Sequence, residues 1–138
     1  MLYQSEADTA REQAFMRYAV ERWSLDSINK LAHSLEIDFF AVKRGKVAYV
    51  EYKRRFRKFA DFPDVFMSAA KFLTGVSYAR ETTAKFIFCV ECDDGLYRYV
   101  YRDGDMFPMK WGGRNDRPDD PRSREPVVLI PADRFDKF

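Results

Sequence analysis

Apolar positions recur with two different periods along this chain, and the points where the period changes outline its elements. From Ser5 to Trp23, Ala10, Ala14, Phe15, Tyr18, Ala19 and Arg22 or Trp23 fall at helical spacing behind a capping serine and early acids, which predicts an amphipathic first helix. Ser24 to Leu35 is open between two readings. Leu25, Ile28, Leu31, Ala32 and Leu35 keep a helical rhythm, while a loop with a short extended piece leading to Asp38 fits equally. The period then drops to two: Asp38 to Val42 and Val47 to Lys53 flank Lys43-Arg44-Gly45-Lys46, a polar turn with its glycine, and together predict a β-hairpin.

Beyond the hairpin, Pro63 in a first helical turn behind Asp61 as cap predicts a second helix through about Ala79, with Val65, Phe66, Ala69, Ala70, Phe72, Leu73 and Val76 as its apolar side. Lys85 to Cys92 reads as a third, strongly apolar strand. Asp93-Asp94-Gly95 is a turn and Leu96 to Tyr101 a fourth strand. Met106 to Trp111 predicts a short strand broken at Pro108. Gly112 to Pro126 lacks apolar periodicity and reads as irregular; Val127 to Ile130 reads as a last edge strand, and Ala132 to Phe138 as a turn of helix. The order helix, strand, strand, helix, strand, with further short strands, predicts an α+β fold, a mixed α/β sheet flanked by helices, as one domain over residues 1–138.

The hairpin also gathers chemistry. Period two puts Val47, Tyr49, Glu51 and Lys53 on one face of the second strand, and pairing across Arg44-Gly45 brings Asp38 to the level of Glu51. Two carboxylates and an ammonium converge. An exposed cross-strand ion pair of Asp38 or Glu51 with Lys53 would contribute under about 1 kcal/mol and need no metal. Charge placed at the ends of strands as apolar as Phe39-Phe40-Ala41-Val42 and Val47-Ala48 argues against a fully exposed hairpin and invites a functional account, and on the residues alone the two readings stand side by side.

Composition narrows the field. With 138 residues and 46% hydrophobic content the chain can bury one core, and 24 Lys plus Arg against 22 Asp plus Glu leave a net charge of +2. Affinity for a polyanion must therefore come from local clustering, and Lys53 to Lys58 supplies it: Lys53, Arg54, Arg55, Arg57 and Lys58 surround Phe56. No signal-peptide core opens the chain and no apolar run reaches about 18 residues, so a cytoplasmic setting without membrane contact is the expectation. Cys89 and Cys92 form a C-x-x-C within a strand, where positions three apart face opposite sides, and no further ligands complete a zinc set; buried reduced thiols follow. His33, the single histidine, has no companion for a nucleophilic relay.

Asp38 followed across a hairpin by Glu51-Tyr52-Lys53, within the order helix-strand-strand-helix-strand, resembles the PD-(D/E)XK nuclease superfamily with its restriction-endonuclease-like fold. More narrowly, Ile37-Asp38-Phe39, Val50-Glu51-Tyr52-Lys53, Gly112-Gly113-Arg114-Asn115-Asp116 and Glu125-Pro126-Val127-Val128 together resemble short phage-encoded members, over nearly the whole chain. Ile37 stands where the superfamily often has proline. The resemblance implies a deoxyribonuclease using Mg²⁺ or Mn²⁺, with Asp38, Glu51 and the Tyr52 carbonyl as ligands and Lys53 as the catalytic lysine. Such hard cations prefer oxygen donors, and phosphodiester cleavage needs an activated water and neutralised phosphate charge. A further acid is expected from the first helix, Glu12 first and Glu6 second. Arg54, Arg55, Arg57, Lys58 and, on the second helix, Lys71 are the expected contacts to DNA. If phage-encoded, the protein would work inside the host cell, and a homodimer would set two centres about one groove apart. The competing reading keeps the fold and loses the reaction: an inactive module binding nucleic acid or a host protein.

Overall fold

The computed structural model describes residues 5–32, 37–113 and 124–138. Among them are two helices, α1 (Glu6–Trp23) and α2 (Ala69–Thr82), and nine strands: β1 (Ser27–Lys30), β2 (Phe39–Lys43), β3 (Lys46–Arg54), β4 (Asp64–Ser68), β5 (Lys85–Cys92), β6 (Gly95–Val100), β7 (Met109–Gly113), β8 (Arg124–Pro131) and β9 (Asp136–Lys137). Six of them form one sheet in the order β1-β2-β3-β5-β6-β9, and three form a second, β4-β8-β7. This is the α+β arrangement expected.

α1 starts where the capping pattern places it. The Ser5 hydroxyl accepts the Asp8 N–H at 3.1 Å while the Asp8 carboxylate accepts the Ser5 N–H at 3.2 Å, and Ser24 ends the helix in a left-handed conformation. The hairpin closes through Arg44 and Gly45, both at positive φ (50° and 75°), which matches the twist of the flanking strands. Its register pairs Phe39 with Val50 and Phe40 with Tyr49, and the same count sets Asp38 against Glu51.

The sheet is covered on both faces. Phe15 and Ala19 of α1 pack on Phe39, Ala41, Val50, Tyr52, Ile87 and Cys89. On the other face Phe72 of α2 and Val65, Met67, Val128 and Ile130 of the small sheet pack on Phe86, Phe88, Val90 and Tyr99. Cys89 and Cys92 fall into different layers, both buried and free, as their strand spacing requires. α2 comes so close to β5 that a Cβ at Gly75 would stand 2.4 Å from the Phe86 ring. That helix provides the crossover by which β3 and β5 pair in parallel, Glu51 beside Phe88.

Three expectations need correction, and the reading left open after Ser24 is decided. Residues 64–68 form a strand, and the second helix begins at Ala69 with Ser68 as cap, because Val65 and Met67 are buried and Phe66 is exposed, a period of two that β8 completes. Residues 27–30 are the extended piece, not a helix. Val127–Ile130 lies within the central strand of the small sheet, and Gly112, Gly113 and Glu125 are paired strand residues. The end of the chain makes one tight helical turn, Ala132–Arg134, and then a short strand on β6. His33, Arg114 and Asp116 lie outside the described residues.

Candidate functional site

β3 carries the centre of the site. Glu51 is the one charged residue in the buried interior of the described chain, 3% exposed, because period two turns it toward α2 between apolar strands. Its Oε2 accepts from Lys71 Nζ at 2.8 Å, whereas Oε1 is buried without a hydrogen-bond partner. Burial raises the Glu51 pKa to about 8, the neighbouring Asp38 charge adds to the rise, and Lys71 opposes it.

Asp38 leads into β2. Its Oδ2 accepts the Tyr52 N–H at 2.9 Å, and Oδ1 lies 3.3 Å from Lys30 Nζ. An extended residue directs its N–H and C=O to the same side, so the Tyr52 carbonyl points toward Asp38 as well. The Tyr52 side chain goes the other way: its ring stacks on Phe15 at 4.6 Å and its hydroxyl donates to Glu91 at 2.6 Å. Lys53 returns to the Glu51 face. Desolvation lowers its pKa, with Arg55 and Lys71 pushing the same way and Glu51 and Asp38 opposing.

The expected acid of α1 is near but held differently. Glu12 is bonded to Lys30 Nζ, which also bridges to Asp38, and burial of that ammonium is outweighed by the two carboxylates, so its pKa is raised. Glu6 is exposed on the first turn. Lys30 escaped the sequence reading; four residues, Ser27 to Lys30, are too short a run for alternation to declare itself beside a competing helical spacing.

Among the described residues, no three His, Cys, Asp or Glu side chains gather closely enough to hold a metal ion by themselves. A metal here would take two carboxylates and a main-chain oxygen. That donor set fits a hard divalent cation, and the test of fit is the bare Glu51 Oε1: a buried carboxylate oxygen without a donor, next to a second carboxylate, is a configuration that a cation would relieve.

The basic residues divide by task. Arg54 donates to the Glu91 carbonyl at 3.2 Å and to Asp93 at 2.8 Å, tying the connector to the end of β5. Arg55 donates to the Phe66 carbonyl at 2.9 Å, and burial lowers its pKa to about 10. Arg57 reaches the Phe59 carbonyl at 3.3 Å, and Lys58 stays exposed. Lys71 is drawn inward to Glu51, while Glu125, from the last of the companion segments, accepts from the Ser68 hydroxyl at 3.1 Å at the start of the same helix.

Over residues 1–138 the sequence matches the family model described as phage putative PDDEXK endonuclease. No curated protein matches the chain. Among solved structures it is similar to Hjc of Archaeoglobus fulgidus, a Holliday junction resolvase from an archaeal hyperthermophile, with 18% identity and a TM-score of 0.50 over 65% of this chain and 69% of that one. At that identity the likeness concerns the fold, which is restriction-endonuclease-like.

Proposed function

The chain belongs to the family of phage PDDEXK endonucleases, and from that membership we propose that it is a divalent-metal-dependent deoxyribonuclease centred on Asp38, Glu51 and Lys53. The observation that carries the reading is Glu51: buried, lacking a donor at Oε1, and set beside Asp38. Mg²⁺ or Mn²⁺ held by Asp38, Glu51 and the Tyr52 carbonyl would supply charge for a phosphate oxygen and acidity for a water.

The chain's own residues do the rest. Asp38, fixed by the Tyr52 N–H, holds its carboxylate against the strand end. Lys71 balances part of the buried charge of Glu51 and keeps that side chain in one orientation. Lys53, on the same face and open to solvent, orients the attacking water and stabilises charge on the scissile phosphate. Glu12 acts at one remove, through Lys30 on Asp38. Arg55, whose charge reaches Glu51, and Lys58 guide the phosphate backbone toward the centre.

The ion pairs Lys71–Glu51 and Lys30–Asp38 favour a second reading, in which the acids are structural and the protein is an inactive module binding DNA or a host protein. Divalent-metal calorimetry followed by nicking of supercoiled plasmid separates the two. The nuclease reading requires a bound ion and cleavage that chelator stops, and it fails if Glu51→Ala or Lys53→Ala cleaves as well as wild type.

A further inference from the structure

The connector from Lys53 to β4, with the outer face of β4, carries three phenylalanine rings that remain open to solvent although each has a guanidinium fixed on it. Phe56 is 70% exposed, Phe62 57% and Phe66 43%. Arg54 lies over Phe56 at 4.4 Å, Arg57 over Phe62 at 4.8 Å and Arg55 over Phe66 at 4.6 Å. Arg11 of α1 also lies over Phe56, at 5.1 Å. Arg55 also connects the Phe66 ring to the acid pair, because its charge acts on Glu51.

Exposed aromatic rings are costly, and the cation–π contacts account for their order but not for their exposure. From Lys53 to Phe66 five cations stand against two acids, Asp61 and Asp64, and Asp93 is paired with Arg54 at 2.8 Å, so the net charge of the ledge is positive. A ligand that suits this ledge must alternate flat apolar faces with negative charge. An acidic peptide lacks the regular planar faces, and a paired duplex keeps its base faces inside the stack. Unpaired nucleotides present both.

We propose that Phe56, Phe62 and Phe66 form a stacking platform for unpaired DNA, so that the substrate is a strand with single-stranded or splayed nucleotides beside the cut. Bases stack on the solvent-exposed parts of the rings, and Arg55, Arg57 and Lys58 neutralise the intervening phosphates. For the term substrate the proposal rests on the nuclease reading above; the binding itself does not.

The test is equilibrium binding in chelator, where no cleavage occurs, to a blunt duplex, a splayed fork, and the same fork with abasic sites in its unpaired arms. The platform predicts that wild type prefers the fork to the duplex and loses about five- to a hundredfold on the abasic fork, which keeps every phosphate. Phe56→Ala and Phe66→Ala, at exposed positions, should each bind the intact fork more weakly and respond less to abasic sites, with Phe56→Leu showing the loss even though apolar area is kept. Equal affinity of wild type for intact and abasic forks would overturn the platform. Plasmid nicking, measured separately, distinguishes the two failures: cleavage with abasic-insensitive binding sinks the platform alone, and abasic-sensitive binding without cleavage sinks the nuclease alone.

Discussion

Two lysine–carboxylate contacts lie at the same end of the sheet and have opposite characters. Lys71 meets Glu51 in the interior, where one carboxylate oxygen is left bare and the acid is held toward its neutral form. Lys30 meets Glu12 and Asp38 at the edge, where the ammonium is held charged by two partners within reach of solvent. The residue types are the same; burial makes the difference. A single lysine cannot offset the desolvation of Glu51 with Asp38 beside it, so the acid retains its proton, and a divalent cation that displaces this proton is what the inner contact would accommodate.

The largest effect should come from removing the inner acid. Glu51→Ala and Glu51→Gln should each lower plasmid nicking by at least about a thousandfold, measured with saturating Mg²⁺. If Glu12→Gln instead produced the larger loss, the ranking of the two regions would be reversed. Lys53→Ala should reduce turnover by about a hundredfold while calorimetry still reports the metal, since its ammonium acts on water and phosphate rather than as a ligand.

Next in size is a pH effect on the metal-free protein. The Glu51 carboxyl titrates near 4.5 when unfolded and near 8 when folded. Below the lower value it is protonated in both states and its contribution to stability is complete. Between the two the unfolded chain releases a proton that the folded one retains, so stability falls as pH rises toward 8. Glu51→Gln should flatten that fall and raise the melting temperature at pH 8 by about 4 °C or more, followed by circular dichroism in chelator. A variant that melts lower at pH 8 than wild type would contradict the burial argument. The smallest effect belongs to the edge: Lys30→Ala should change stability by about 1 kcal/mol in a denaturant titration, because the Glu12 and Asp38 side chains, 14% and 18% exposed, are half-sheltered rather than sealed from water as Glu51 is. A loss of several kcal/mol would mean that the outer contact is as buried in its consequences as the inner one.

How much of this was legible in the sequence depends on whether a pattern is local. The hairpin, its turn at Arg44-Gly45, and the facing of Asp38 and Glu51 follow from period two and a short loop, both contained within the 16 residues from Asp38 to Lys53, and the structure keeps that register. The first helix announces itself by Ser5 and its apolar spacing. β4 does not. Val65-Phe66-Met67 merges with the apolar side of α2, and only pairing with Val128 and Ile130, some sixty residues on, makes it a strand. The same distance hides β8 as a central strand. Within the site, sequence placed Asp38, Glu51 and Lys53 together, but it could not show that Lys71 turns inward or that Lys30 stands between Glu12 and Asp38, since side-chain ion pairs across elements leave no periodic trace. Charge in the connector was visible; that Arg54, Arg55 and Arg57 each lie on a phenylalanine ring was not.

The most direct test of the central claim is a calorimetric titration with Mn²⁺ at pH 7 in two buffers of different ionisation enthalpy, on wild type and Glu51→Gln. A buried acid kept protonated until a cation arrives predicts binding by wild type with release of about one proton per ion, and no comparable binding by the glutamine variant. Binding of equal strength by both proteins, or by wild type without proton release, would contradict the account.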